Sequence, residues 1–172
     1  GLVGSEMCIR DRYMSFFPQL VAGPIVRSSQ FLPQLERPSG NPPPMAKALL
    51  MIAGGLFKKV ILASYLGTQL VDPVFADPAS FSTLDLLFAL YGFAVQIFCD
   101  FSGYTDIAIG LAALLGFTFP QNFNQPYRSA SLRDFWHRWH MTLSFWLRDY
   151  LYIALLGGNR RGSRRTIFNL IL

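Results

Sequence analysis

The chain has 172 residues, of which 52% are hydrophobic and 15% are charged, and its formal net charge is +5. Soluble domains carry about 25% charged residues, so this composition argues against an ordinary soluble domain and indicates a membrane protein. The basic excess does not indicate nucleic-acid binding, because lysines and arginines flank the apolar runs and no RNA- or DNA-binding motif accompanies them.

Residues 1–12, "GLVGSEMCIRDR", are polar and fit neither a signal peptide nor a membrane span. Codons that encode residues 2–11 spell a string that resembles a transposase adapter used in preparing shotgun sequencing libraries. We therefore expect residues 1–12 to be translated adapter and residues 13–172 to be a native segment truncated at both ends. Without the leader and its Cys8, the net charge is still +5 and Cys99 has no partner for an internal disulfide.

The native segment begins with apolar runs broken by proline. Residues 13–35 are interrupted in this way, and residues 37–44 form a stiff linker. Residues 45–71 predict the first long helix, in which the pair Gly54-Gly55 marks close packing between membrane helices. Apolar runs along the chain are only about 10–14 residues long, which predicts buried, re-entrant or polar-lined segments rather than simple lipid-facing spans.

A polar tract interrupts the next apolar region. Residues 72–82 are predicted to be a loop, and residues 83–98 a strong helix. The tract 99–106 follows and contains Asp100 and Tyr104. If the helix continues through it, these two residues share a face and line a polar cavity; otherwise the tract breaks the helix and caps the next one. The pattern leaves both interpretations open.

Residues 131–153, "SLRDFWHRWHMTLSFWLRDYLYI", predict a single amphipathic helix. Ser131 is its expected N-cap with Asp134 at the third helical position, and Asp134 and Arg138 have the spacing of an i,i+4 ion pair. A polar stripe follows another face: Arg133, His137, His140, Ser144 and Arg148. Ionisable groups at membrane depth are costly unless they face protein or water, so this stripe predicts a cavity beside the helix.

His140 is the candidate for proton transfer, because a histidine of near-neutral pKa can accept a proton from a hydroxyl. The spacing alone also allows His140 and His137 to be hydrogen-bonded structural residues. Ser144 lacks a nucleophile-elbow motif, and a serine in a helix commonly bonds to its own backbone. A metal site is not expected, since the two histidines have no evident third ligand.

The chain resembles the membrane-bound O-acyltransferase family, and most closely its alginate O-acetyltransferase branch, in "FFPQLVAGPIVR", "GLFKKV", "QIFCDFSGYTDIAIGLAALLGF", "PQNFNQPY" and "FWHRWHMTLSFWLRDYLYI". The resemblance runs from about Phe16 to Leu172. It implies an all-α, polytopic transmembrane helical bundle around a central funnel, as a multi-pass protein of the bacterial inner membrane. The family motif W-H-x-S/T-L-S-x-W-L-R-D falls on residues 139–149, which places its conserved histidine at His140.

The resemblance implies an O-acyltransferase that moves an acyl group, acetyl in the alginate branch, to hydroxyls of an exported polysaccharide such as alginate. The donor would be acetyl-CoA or an acyl carrier as co-substrate, with no bound cofactor. The expected partners are the lipid bilayer, the polysaccharide and periplasmic acetyltransferase proteins, with no nucleic acid. His140 would support catalysis, and the expected substrate-binding residues are Arg133, His137, Ser144, Arg148, Asp100 and Tyr104.

The chain departs from the family pattern at two points. The family's principal histidine lies in a Gly-Leu-Trp-His-Gly-like motif, which we expect beyond Leu172, so the segment alone is expected to be inactive. The family's Ile-Pro-Leu-Gly-Gly is replaced by "IALLGG" at residues 153–158. Three other functions stay open: D-alanyl transfer to teichoic acid, a transporter or channel component, and a non-catalytic membrane scaffold.

Overall fold

The computed structural model describes Asp11, Tyr13 and residues 15–19, 23–36 and 44–155. Over these residues the chain is helical and contains no strand, which confirms the all-α class. It forms two compact units that divide between Phe119 and Pro120. The predictions for residues 1–10 and for the "LGGNR" loop and the final apolar helix fall outside the described residues.

The first unit has an aromatic core beside helix α1, Ser28–Glu36. Phe31 of this helix is completely buried. The Phe16 ring lies 4.9 Å from the rings of both Phe31 and Phe117, measured between centroids. The Gln34 side chain accepts a hydrogen bond from the Thr118 amide at 2.7 Å and donates one to the Thr118 carbonyl at 3.2 Å. The aromatic rings of Phe16, Phe31 and Phe117 therefore join α1 to the segment that ends this unit.

Two long helices, α2 (Met45–Ala76) and α3 (Thr83–Leu114), form the rest of the unit. Each has 32 residues and is long and apolar enough to cross a membrane. At about 1.5 Å per residue such a helix is about 48 Å long, which exceeds the roughly 30 Å hydrocarbon thickness of a bilayer. The short apolar runs of the sequence thus join into two candidate membrane spans. The sequence had instead predicted shorter buried, re-entrant or polar-lined segments.

Helix α2 extends further than the sequence predicts. It combines α-helical segments with π-helical turns at Phe57–Ala63 and Gly67–Val71, and it continues through Asp72–Ala76. The prediction of a loop from residue 72 was therefore wrong over these five residues. Pro73 lies at the junction between the π-helical turn Gly67–Val71 and the last α-helical segment, where the hydrogen-bond pattern of the helix already changes.

Helix α3 begins at a capping box and passes through the polar tract without a break. The Ser82 hydroxyl accepts from the Asp85 amide, and the Asp85 carboxylate accepts from the Ser82 amide. Of the two interpretations of residues 99–106, the continuous helix is correct. The reason is tertiary: α2 supplies the partners of the two acidic groups, with Lys59 paired to Asp100 and Lys58 to Asp106.

The second unit contains two short helices, α4 (Leu132–Arg138) and α5 (Met141–Trp146), followed by a π-helical segment, Leu147–Leu155. The Ser131 hydroxyl accepts from the Asp134 amide at 3.1 Å, so the predicted N-cap is confirmed. The prediction of one continuous helix over 131–153 was wrong, because the backbone leaves the helical conformation at residues 139 and 140.

Candidate functional site

The break between α4 and α5 centres on His140, which adopts a left-handed backbone conformation with φ 44° and ψ 53°. A residue with a Cβ pays of order 1–3 kcal/mol for such a conformation, and strain of this kind is concentrated at functional sites. The strain persists only where surrounding contacts over-determine it. The contacts around His140 must therefore hold it in this conformation.

A neighbouring loop segment holds the break by backbone hydrogen bonds. The Met141 amide donates to the Asn122 carbonyl at 2.9 Å, and the Asn124 amide donates to the Arg138 carbonyl at 2.9 Å. The two bonds enclose residues 139 and 140 from both sides. They replace the helical hydrogen bonds that the break removes, so the break costs less than an open interruption would.

Aromatic packing supports the same turn. The Trp139 ring stacks on Phe135 with centroids 5.5 Å apart and meets the Phe123 ring edge-on at 5.0 Å. Tyr127 is the fourth ring of the group, 6.3 Å from Trp139. Because Trp139 immediately precedes His140, these rings fix the direction in which the chain enters the strained residue.

The Asn122 side chain is the polar centre of the site and is completely buried. Its Oδ1 lies 3.2 Å from the Thr142 amide nitrogen, 3.0 Å from the Thr142 hydroxyl and 3.0 Å from His140 Nδ1. Asn122 was not among the residues predicted from the sequence. The available signal was a pair of asparagines in the "PQNFNQPY" tract, yet nothing in their spacing indicates which of the two turns inward.

His140 is half-buried, and burial lowers its pKa below the ordinary value of 6.5. Taking the imidazolium out of water disfavours the charged form, so the ring is neutral at pH 7. A neutral imidazole has one protonated nitrogen and one basic nitrogen. His140 is thus in the protonation state that a proton acceptor requires.

The remaining members of the predicted stripe do not share one helical face with His140, because the break separates them. Arg133 and His137 are exposed on α4. The Ser144 hydroxyl on α5 is 3.4 Å from the Trp136 carbonyl, a long contact between the two helices. Arg148 lies in the π-helical segment, where its Nε donates to Asp149 at 2.7 Å and raises the pKa of Arg148.

The predicted ion pair between Asp134 and Arg138 is confirmed, with Nε and Oδ1 2.9 Å apart. The hydrogen bond from Arg138 lowers the pKa of Asp134 below its ordinary value. Both side chains are about one-third exposed, so the pair contributes little to stability. Because Arg138 is paired with Asp134, it is not available to bind an anionic substrate.

Asp100 and Tyr104 lie in the first unit, one turn apart on α3. Asp100 pairs with Lys59, whose Nζ lies 5.9 Å from the centre of the Tyr104 ring. The three side chains form one contact between α2 and α3. Among the described residues, no three His, Cys, Asp or Glu side chains come together as a metal site requires.

The model of the membrane-bound O-acyltransferase family matches residues 12–172. A protein of Azotobacter vinelandii named "Probable alginate O-acetylase AlgI" is 43% identical over 162 residues, which cover 93% of this chain and 32% of that protein. The peptidoglycan O-acetyltransferase of Helicobacter pylori is 41% identical over 163 residues, 93% of this chain and 31% of that protein.

A more distant relative carries a different acyl group in its name. The teichoic acid D-alanyltransferase of Bacillus subtilis is 34% identical over 148 residues, which cover 84% of this chain and 37% of that protein. The chain therefore spans about a third of the length of the curated relatives it matches.

Proposed function

Because the chain belongs to the membrane-bound O-acyltransferase family, we propose that the whole protein transfers an acetyl group to hydroxyls of an exported polysaccharide such as alginate. The observation that carries the proposal is the setting of His140, a half-buried imidazole held in a strained turn by Asn122. Strain and burial at a titratable side chain are typical of groups that take part in chemistry.

In the proposed reaction the acceptor hydroxyl attacks the carbonyl carbon of an acyl thioester. The new C–O ester bond forms, the C–S bond breaks, and the leaving thiolate takes up a proton. His140 orients the hydroxyl and relays its proton, while a histidine from elsewhere in the whole protein acts as the principal base. The donor is acetyl-CoA or an acyl carrier, used as a co-substrate.

The cationic side chains give the site a preference for anionic acceptors. We assign Arg133 and Arg148 to the carboxylates of uronate residues, because guanidinium groups bind carboxylates in a bidentate manner. Arg133 is exposed. Arg148 contacts the Phe145 ring at 5.2 Å and donates to Asp149, so it would have to exchange Asp149 for the substrate carboxylate. The substrate-binding roles of His137, Ser144, Asp100 and Tyr104 stay predictions, with Asp100 already engaged by Lys59.

The proposed setting is the bacterial inner membrane, with α2 and α3 as two spans of a multi-pass protein. Because the acceptor polymer lies outside the cell, periplasmic acetyltransferase proteins are the proposed partners of this transfer. D-alanyl transfer to teichoic acid is the second candidate, favoured by the relatives named for that activity.

The test compares His140→Gln with Asn124→Ala in the whole protein, in inner-membrane vesicles supplied with labelled acetyl-CoA and uronate polymer. Asn124 is exposed and belongs to the same loop as Asn122, so its substitution controls for local disturbance. We expect His140→Gln to reduce acetyl transfer by about 100-fold or more, the usual contribution of a positioned proton-transfer group, with normal insertion. Undiminished transfer would return His140 to a structural role, and transfer of D-alanine instead of acetyl would favour the second candidate.

A further inference from the structure

The orientation of the Asn122 side-chain amide is settled by one neighbour. The Thr142 backbone N–H lies 3.2 Å from the Asn122 atom that faces it, and a backbone N–H can only donate. That atom must therefore be the oxygen, since the alternative orientation would place two donors against each other. The Thr142 hydroxyl at 3.0 Å can then donate to the same oxygen.

The same oxygen lies 3.0 Å from His140 Nδ1. An amide oxygen only accepts, so Nδ1 must carry the hydrogen in this contact. In a neutral imidazole the other nitrogen, Nε2, then holds the lone pair. The tautomer of His140 follows from a chain of two contacts that begins at a backbone amide and passes through one buried oxygen.

We infer that Asn122 is a positioning residue that holds His140 in the Nδ1–H tautomer, which makes Nε2 the basic nitrogen of the site. The inference rests on the proposed function only in giving Nε2 the role of proton acceptor; the tautomer itself follows from the contacts. Asn122 touches no reacting atom and acts through the imidazole alone.

The burial of Asn122 strengthens its effect on the tautomer of His140. The side chain is completely shielded, so water does not compete for the Oδ1 contacts. Its Nδ2 is also buried and has no hydrogen-bond partner in the described part of the chain. A buried N–H without a partner costs about 1–3 kcal/mol, which offsets part of the gain from the three contacts that Oδ1 makes.

The direct test is nitrogen NMR of the whole protein in lipid nanodiscs, with 15N-labelled histidine. The signals that disappear in a His140→Gln variant are those of His140. We expect the spectrum at neutral pH to show Nδ1 protonated and Nε2 unprotonated in the main form. A main form with the hydrogen on Nε2 overturns the inference.

Three variants separate positioning from simple folding. Asn122→Leu removes the acceptor and should move the ratio towards the Nε2–H form that prevails in free imidazole side chains. Asn122→Asp keeps the acceptor, so it should keep Nδ1–H and raise the pKa of His140 by adding a negative charge. Asn124→Leu, two residues along the same loop, should leave the spectrum unchanged. If the leucine variant does not fold, the wild-type and Asn122→Asp spectra decide the matter.

Activity of the whole protein distinguishes the two proposals. Asn122→Leu should lower acetyl transfer by roughly tenfold or more, mainly in kcat, while Asn122→Asp retains transfer with its acidic limb moved to higher pH. If the spectra behave as expected but His140→Gln transfers normally, the proposed role of His140 fails and the tautomer assignment stands. If Asn122→Leu leaves the tautomer ratio unchanged, the positioning role fails whatever the activity.

Discussion

Gly55 of α2 and Gly103 of α3 lie against each other so closely that neither has room for a side chain. A Cβ on Gly55 would fall 2.6 Å from the Gly103 carbonyl oxygen, and one on Gly103 would fall 2.7 Å from the Gly55 carbonyl oxygen. Small residues at helix contacts allow this approach in membrane proteins, where van der Waals contact replaces the hydrophobic effect as the driving force.

Gly55→Ala is therefore expected to destabilise the pair of long helices by about 1–3 kcal/mol, because the added methyl group would meet the backbone. Gly54 provides the matched control, since a Cβ there has no neighbour within 4 Å. Gly54→Ala should be neutral or stabilising by up to about 1 kcal/mol. The measurement is unfolding by SDS in mixed micelles, followed by circular dichroism. Equal effects of the two substitutions would contradict the close contact.

The ion pair between Lys58 and Asp106 joins the same two helices. Lys58→Met should lower the free energy of unfolding by about 1–3 kcal/mol, because Asp106 is left without its partner in a partly buried position. The double variant Lys58→Met/Asp106→Leu should recover most of the loss, since no unpaired charge remains. Lys47→Met, at an exposed position on α2, is the control. A double variant as unstable as the single one would show that Asp106 does not depend on Lys58.

Ser131 is expected to set the start of α4. Ser131→Ala removes the acceptor of the Asp134 amide and should cost about 1 kcal/mol, the usual value for loss of an N-cap. Ser129→Ala, two residues before it, removes no side-chain cap and should cost less than half as much, because Ser129 caps the turn Pro126–Arg128 through its backbone only. Thermal unfolding in detergent compares the two variants, and a larger loss at Ser129 would rule out the capping role.

The stability of the protein should depend on pH through His140. Its pKa is lowered in the folded state by burial, so the unfolded chain binds the proton more readily. The contribution of neutral His140 to the free energy of unfolding is fully present above pH 6.5, the ordinary pKa of histidine. It is lost as the pH falls through the lowered pKa of the folded state. Midpoints of unfolding measured from about pH 8 to pH 5 should fall more steeply for the wild type than for His140→Gln. Identical slopes would mean that His140 does not titrate differently in the two states.

Local sequence determined much of this protein. The caps at Ser82 and Ser131, the i,i+4 pair of Asp134 and Arg138 and the all-helical class all follow from interactions within about one helical turn. The motif around Trp139 and His140 also pointed to the family. These features need no knowledge of distant parts of the chain, because their partners are sequence neighbours.

Tertiary structure alone decided whether each polar tract continues or breaks a helix. The tract 99–106 stays helical because Lys58 and Lys59, 48 and 41 residues away from their partners, neutralise Asp106 and Asp100. The helix predicted across His140 breaks because Asn122, 18 residues before it, binds the imidazole and the next turn. Helical periodicity indicates which residues share a face only if the helix is continuous. Whether the helix is continuous depends on contacts with residues far away in the sequence, which the local pattern does not include.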